Sequence, residues 1–547
     1  MTGSVLHTIK KKAAGISWPL LVFLVLVLNV KLPVKIIAVL FFIVIHRRSI
    51  AAKTFFKQRY LHFYFSMIVI GIINFLLHYK NYNSTYSITV FIGICFWVMS
   101  AIIAYLLYTF VQKEDPLKIH TTVTAFFILH IIVIFLNLIQ IIIETGALNP
   151  YTYKGLNQKY YISTGDFITG ISFDAPVTTA FTCVFGLLYF LYRKQFMLSI
   201  ACMAALLIMA SNFANLILIA VFVFAFIFYS TRIQKSFILI YIVMLIVFMA
   251  KISPQNNEHV GRIFYLLIDK PYDLPPVKTL SLDEIKKAPD SVLDPEQRRK
   301  KYAQHFIDSI SAIRLAENTK APVNTVVKRS VPDSINHSKD IAFYQFHESA
   351  VTEEKINRYT HFINQVYSPQ QQDSLKKKYN WKSPGKWIAA KQLVNFFKAH
   401  PSKILTGDGI ANFSSRLAFK ATLLNTAGKY PARLEYINAD FLYNHLYLYL
   451  FYHSQDQSKH EAKNTPDAVY YQVAGEYGIA GMLCLLFVYF GFFIRRMPKR
   501  SFGLPLLLVL AGAFFAEYWF EQFSIVVLFE LLLFLDIKQR RMEEQEA

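Results

Sequence analysis

Residues Ser87–Val111 read SITVFIGICFWVMSAIIAYLLYTFV, an unbroken stretch without a charged side chain. As a helix, at 1.5 Å per residue, it is roughly 37 Å long, more than the ~30 Å hydrocarbon core of a bilayer. Similar runs lie on both sides of it. Candidate spans fall at 16–30, 33–46, 60–79, 87–111, 120–143, 176–192, 195–211, 213–230, 236–251, 475–494, 503–519 and 521–537. The first two are short and separated by Lys31-Leu32-Pro33, as in a broken hairpin. Residues 195–230 are interrupted only by Ser211-Asn212-Phe213-Ala214-Asn215, a polar turn or an intramembrane site. Composition agrees: 54% of the 547 residues are hydrophobic, Phe alone numbers 49, mean hydropathy is +0.35, and 17% are charged. Soluble domains carry about a quarter charged residues. An ordinary cytosolic enzyme, a disordered chain, collagen and a disulfide-rich secreted scaffold are all excluded.

Lysine and arginine set the orientation. With the N-terminus in the cytoplasm, inner segments hold 21 basic residues, among them Lys10 to Lys12, Arg47, Arg48, Arg59, Arg495, Arg496 and Arg541. The outer short loops hold five: Lys31, Lys35, Lys80, Lys154 and Lys159. Both termini are then cytoplasmic and residues 252–470 lie outside. Lys10-Lys11-Lys12 before an apolar run resembles a signal peptide, but no small-residue cleavage site follows, so it reads as an anchor. The net charge of +22 reflects flanks of this kind, and no nucleic-acid partner is expected. The expected fold is an all-α polytopic membrane protein of about 12 transmembrane helices. One large, mostly helical extracytoplasmic loop joins the ninth to the tenth. Its parts are a bundle at 1–251, the loop domain at 252–470 and a C-terminal segment at 471–547 with a short cytoplasmic tail. Cys95, Cys183, Cys202 and Cys484 all sit in apolar runs, so no disulfide staples the loop.

Within the loop, Asp294-Pro295 opens a helix to about Asn318, an Asp cap followed by proline at the first position. Further helices are expected near 349–366, 368–379 and 383–400, the last ending at Pro401. Lys376 to Lys378 and Arg298 to Lys301 read as solvated helix faces. After Pro401 comes Gly407-Asp408-Gly409, a tight turn with exposed backbone N–H groups.

Three blocks carry a resemblance. Trp387, Pro401, Gly407-Asp408-Gly409 and Phe413 follow a Trp helix, Pro, Gly-x-Gly-x-x-x-Phe order. Pro466 to Gly481 includes Gly475-Glu476-Tyr477-Gly478 and Gly481, against the pattern His-Asn-x-Tyr-x-x-x-x-x-Glu-x-Gly-x-x-Gly. Thr164-Gly165-Asp166-Phe167 with Phe173-Asp174-Ala175 forms the third. In this order, and with one dominant outer loop, the chain resembles the O-antigen ligase and O-antigen polymerase superfamily of bacterial membrane glycan transferases. It departs from that pattern at three points. Asp467 stands where the family has a presumed catalytic His, Asn212 where it often has Arg, and Lys159 is the nearest cation before Thr164.

The resemblance implies transfer of a glycan from an undecaprenyl-diphosphate carrier to a hydroxyl on the periplasmic face of the inner (cytoplasmic) membrane. The acceptor would be lipid A-core, a growing glycan or a protein, and membrane lipids surround the chain. Such a site must hold a diphosphate, position an acceptor and take a proton. Arg416 and Arg433 are the candidates for the diphosphate, since Arg contacts phosphate bidentately, with Lys420 one turn from Arg416. Asp467, His445 and Glu476 are the catalytic candidates. Each has a bland alternative: surface cations for the former, an aromatic-rich packed segment for His445, a helix-terminal acid for Glu476. Gly407, Asp408, Gly409 and Asp166 are assigned to glycan contact or to the turn. No Asp-x-Asp cluster lies outside, so neither metal nor other cofactor is expected. A transporter or flippase is the reading from another class, disfavoured by few charges inside spans and no repeat between halves. A non-catalytic scaffold is the third, kept open by the missing His and Arg.

Overall fold

The computed structural model describes residues 15–29, 31–47, 52–78, 84–152, 164–173, 175–253, 282–289, 293, 297–298, 300–306, 308–309, 354–381, 383–426, 428, 430–455, 459–460 and 462–546. Among them the chain is helical, with no strand. Six helices are long and apolar enough to cross a membrane: Arg59–His78, Ser84–Lys113, Pro116–Thr145, Asn212–Tyr229, Arg232–Ile252 and Ala462–Ile494. Shorter apolar helices are Trp18–Val27, Leu32–His46, Pro176–Tyr192, Phe196–Ile208 and Gly503–Ala513. Apolar side chains left exposed on these helices, such as Leu76, Leu77, Phe91, Leu136 and Val243, form the surface that lipid would cover. The chain divides into two compact units. One contains 1–136, 168–245 and 355–547; the other contains 137–167 and 246–354.

In the larger unit, two helices run through the centre. Pro176–Tyr192 is buried from Thr178 to Leu191, and Ser524–Glu546 is buried from Ser524 to Ile537. Both are therefore packed around by others on every side, the second enclosing Glu530 and Asp536. Trp18–Val27 and Leu32–His46 pack against each other as the broken hairpin predicts. Lys35 is not an outer loop cation. It is buried on the second of these helices, and its Nζ donates to the Gln522 carbonyl at 2.5 Å and the Ser524 hydroxyl at 2.8 Å. The polar segment at Ser211 is a turn: Ala210 has φ +49° and Ser211 precedes the helix Asn212–Phe224.

Between residues 354 and 400 this unit contains the expected helices. Residues 354–366 are helical. Pro369–Lys378 starts at a capping box, Ser368 and Gln371 each satisfying the other's backbone N–H, and Lys376 to Lys378 are exposed. Gly385–Ala399 packs Ile388 and Ala389 against Tyr379, Leu448, Tyr452, Ala468 and Tyr471. In the smaller unit, Lys286 pairs with Asp308 at 2.9 Å, and Tyr151 packs edge-on against Phe248. There Arg298 is buried, unlike the solvated face expected of it. Of the helix expected from Asp294 to Asn318, residues 297–298, 300–306 and 308–309 are helical; the rest of that reading, and Asp174, lie outside the described residues.

The helix Val469–Leu483 is broken at Gly478 (φ +65°, ψ −161°), a conformation open to glycine alone. A break orphans carbonyls before it and N–H groups after it. The Gly-Asp-Gly segment supplies both kinds of partner. Asp408 N–H donates to the Gly475 carbonyl at 2.8 Å and Gly409 N–H to Glu476 at 3.0 Å. In return Ile479 N–H donates to Ile404 at 2.9 Å and Ala480 N–H to Leu405 at 3.1 Å. Gly407 and Gly409 have φ of +75° and +98°. A Cβ on Gly478 would sit 2.5 Å from the Leu405 carbonyl oxygen, and one on Gly407 would sit 2.3 Å from Glu476 backbone. We predict that Gly478→Ala lowers stability by about 3 kcal/mol in thermal unfolding of detergent-purified protein. Gly146→Ala, where φ is +64° but nothing lies within 4 Å, should cost only about 1 kcal/mol. Equal small losses would show that the seam is not tight.

Candidate functional site

The seam just described fixes the 404–416 segment, and the polar groups gather around it. Asn74 Nδ2 donates to the Gly407 carbonyl at 2.8 Å. Asn412 Nδ2 donates to the Asp408 carbonyl at 2.7 Å, and Asn412 Oδ1 accepts from the Tyr436 hydroxyl at 2.7 Å. The Asp408 carboxylate itself points at Lys403 Nζ, 2.5 Å away, and Lys403 also reaches Asp440 at 2.9 Å. Burial lifts the Asp408 carboxyl to about 7, against the pull of Lys403, with Asp440 adding to the rise. Burial works against the charge on Lys403, yet its two acidic partners hold its pKa above the ordinary value.

Beyond the turn, a buried chain of polar groups centres on Ser414. Its backbone N–H donates to Glu476 Oε1 at 3.3 Å. Its hydroxyl lies 2.6 Å from His445 Nδ1 and 2.9 Å from the Tyr518 hydroxyl. His445 Nε2 lies 3.3 Å from the Ala389 carbonyl oxygen, which can only accept. Nε2 therefore carries the proton, Nδ1 accepts from Ser414, and Ser414 accepts from Tyr518. His445 is fully buried, and burial pushes its pKa down to about 3, so the ring is neutral. It orders Ser414 and presents no nitrogen to solvent.

Arg416 opens the short helix Arg416–Ala421 and is half-buried. Its guanidinium acts electrostatically on Asp467, Glu517 and Glu521. Glu521 Oε2 accepts from Leu417 N–H at 2.8 Å and Oε1 from Gln472 Nε2 at 2.6 Å. Lys386 Nζ donates to the Asp467 backbone carbonyl at 2.6 Å; burial lowers its pKa to about 8, although Asp467 and Glu517 favour its charge. Lys420 lies over the Tyr430 ring at 5.7 Å, its pKa lowered by burial and then by Arg416. Asp467 is half-buried, whereas Glu476 is buried behind Ser414.

The candidates thus separate. Arg416, Lys420, Asp467, Glu476 and His445 share one polar cluster. Gly407, Asp408 and Gly409 form the wall behind it. Arg433 is exposed on the turn Ala432–Leu434, and Asp166 is exposed on the turn Thr164–Phe167, in the smaller unit. Sequence reasoning missed Lys386, Ser414, Glu517, Tyr518 and Glu521. A signal existed for the last three. Spans read as 503–519 and 521–537 leave one residue for a turn, and the structure ends the first helix at Ala513. Trp519–Gln522 follows, and Phe523 turns at φ +66°. Ionisable groups also lie deep in the bundle: Glu530 accepts from the Tyr64 and Tyr489 hydroxyls, and Asp536 Oδ2 from Ser501 at 2.7 Å. Each has fixed partners. Among the described residues, no three His, Cys, Asp or Glu side chains are arranged to hold a metal ion.

No family model, curated protein or solved structure matches this chain.

The raised carboxyl gives a signed pH dependence. A proton held more tightly in the fold than at the ordinary value of 3.8 makes stability fullest below pH 4 and loses it as pH rises through about 7. His445 acts oppositely, its contribution lost as pH falls from 6.5 toward 3. Comparing wild type with Asp408→Asn cancels the histidine. We predict that the variant gains on wild type between pH 4.5 and 7.5, by a few kcal/mol at the upper end, read as diverging Tm values. Parallel curves would contradict the buried carboxyl.

Proposed function

We propose that this chain is a glycan transferase of the O-antigen ligase type. The donor would be an undecaprenyl-diphosphate-linked glycan and the acceptor a hydroxyl at the outer face of the inner membrane. One observation carries the reading. Two blocks chosen from sequence alone, the Gly-Asp-Gly turn and the Glu-Tyr-Gly helix break, are bonded backbone to backbone, and Arg416, Lys420, Asp467 and Glu476 gather at their seam. Irregular backbone at a membrane helix is tolerated where protein satisfies it, and such breaks build binding sites. Twelve spans, cytoplasmic termini and an outer 252–470 loop belong to the same proposal, resting on the basic flanks.

In this reading the acceptor oxygen forms a bond to the glycan's anomeric carbon as that carbon's bond to the diphosphate oxygen breaks. The lipid diphosphate leaves with the electron pair. Arg416, with Lys420 beside it, stabilises the charge that grows on the leaving oxygens. Asp467 takes the acceptor's proton. Lys386, deprotonated in part near pH 8, is its neighbour and a second base. Ligase, polymerase and protein glycosylation differ only in the acceptor and share this scheme.

A second reading has its own observation. The cluster holds four carboxylates, Asp467, Glu476, Glu517 and Glu521, against three cations, Lys386, Arg416 and Lys420. Glu476 already accepts from Ser414 N–H, and Glu521 from Leu417 N–H and Gln472; acids occupied by the protein in this way suit a non-catalytic scaffold. Complementation of a deletion strain separates the two. Wild type should clear accumulated lipid-linked glycan, and Arg416→Ala and Asp467→Ala should each lose on the order of 10²–10³-fold in transfer. The glycan ladder that vanishes would identify the acceptor. Unchanged ladders with no accumulated donor would sink the transferase and leave the scaffold.

A further inference from the structure

At the other end of the helix that carries Glu476 lies a second charged site. Nineteen residues separate Glu476 from Arg495, about 28 Å at 1.5 Å per residue, close to one hydrocarbon thickness. Here the candidate span Ala462–Ile494 ends and the span Arg59–His78 begins. The two pack side by side, Tyr60 against Phe492 with ring centroids 5.8 Å apart. Between them runs a groove of about 510 Å³, lined by Arg59, His62, Arg495 and Arg496 together with Phe487, Val488 and Phe492. Arg496 stacks over the Phe492 ring at 4.1 Å and donates to the Phe492 carbonyl at 3.2 Å, which fixes its plane. Arg59, Arg495 and Arg541 all repel it. Among the described residues none of these four arginines forms an ion pair.

Like charges gathered without a counter-ion are destabilising unless an anion joins them. Planar guanidinium groups match phosphate oxygens in pairs. The groove's apolar wall continues along the span: Phe487 is 66% exposed and Ile494 56% exposed, a surface for hydrocarbon rather than water. We propose that this groove binds the phosphodiester headgroup of an anionic phospholipid, with Arg59, Arg495 and Arg496 on the phosphate and the acyl chains along Phe487, Val488 and Phe492. The site is separate from the Arg416 cluster and does not depend on what that cluster does.

The test uses the full chain, purified in detergent and stripped of lipid. Binding of phosphatidylglycerol, of phosphatidylcholine with the same acyl chains, and of glycerol phosphate is measured by native mass spectrometry and by thermal shift. Wild type should retain phosphatidylglycerol and raise its Tm with it, and should do neither with phosphatidylcholine. Arg495→Gln with Arg496→Gln should weaken phosphatidylglycerol about 25-fold, from about fivefold per basic residue. If that pair fails to insert, the triple variant Arg59→Lys, Arg495→Lys, Arg496→Lys retains the positive flank but not the paired contacts, and it should still bind more weakly than wild type. Wild-type affinity in either variant, or equal binding of phosphatidylcholine, would overturn the proposal. A glycerol phosphate response as strong as that of the lipid would also overturn it, in favour of a soluble phosphate ligand.

Discussion

The break in the helix at Gly478 is the constraint from which the larger unit is built. A helix interrupted in an apolar setting must find partners for the backbone groups it frees, because neither lipid nor packed side chains will hydrogen-bond them. Residues 404–409 do this through bonds in both directions. The reciprocity matters. A loop that only donated, or only accepted, would leave half of the break unsatisfied. It also explains why glycines face each other across the seam. Gly407, Gly475 and Gly478 each meet backbone or ring atoms within 2.6 Å of where a Cβ would stand. Gly475 admits the Phe413 ring in this way.

Fixing the seam fixes the chemistry beside it. Ser414 and Arg416 follow the turn by a few residues, and Glu476 precedes the break by two, so their mutual placement is set by backbone rather than by flexible side chains. The buried Tyr518–Ser414–His445 chain is satisfied at every link and runs in one direction, ending at a carbonyl. Such a network holds one arrangement firmly, because any reversal would strand a buried donor or acceptor. Arg416, Lys420, Asp467 and Lys386 remain only partly buried at its edge, where a ligand's charge can still be felt.

Helical class and six of the twelve spans were legible because an apolar run of about 20 residues admits few other solutions. The turn at Ser211 was legible from its run of polar residues, and the end of the helix at 383–400 from Pro401. What could not be read was pairing across distance. Asp408 looked like a turn residue, and its contact with Lys403 and Asp440 depends on how the loop folds back. His445 had the right residue type for a base, but its burial comes from segments more than 20 residues away in sequence, among them Ala389, Phe413 and Tyr471. Glu517 and Glu521 were hidden by a rule that counts apolar residues and so ran two helices nearly together. Lys35 looked like a loop charge because its acceptors, Gln522 and Ser524, lie nearly five hundred residues away in sequence.

That lysine bears on how the protein is made. Its partners, Gln522 and Ser524, lie 487 and 489 residues further along the chain. At roughly 5–20 residues per second, synthesis takes about half a minute to a minute and a half to reach them. Through that interval the N-terminal hairpin carries an ammonium group without its final acceptors. The turn that closes on this lysine is made nearly five hundred residues after it. The N-terminal hairpin therefore reaches its final packing only after residues 522–524 are made, and a chain cut short before residue 522 lacks both of these acceptors.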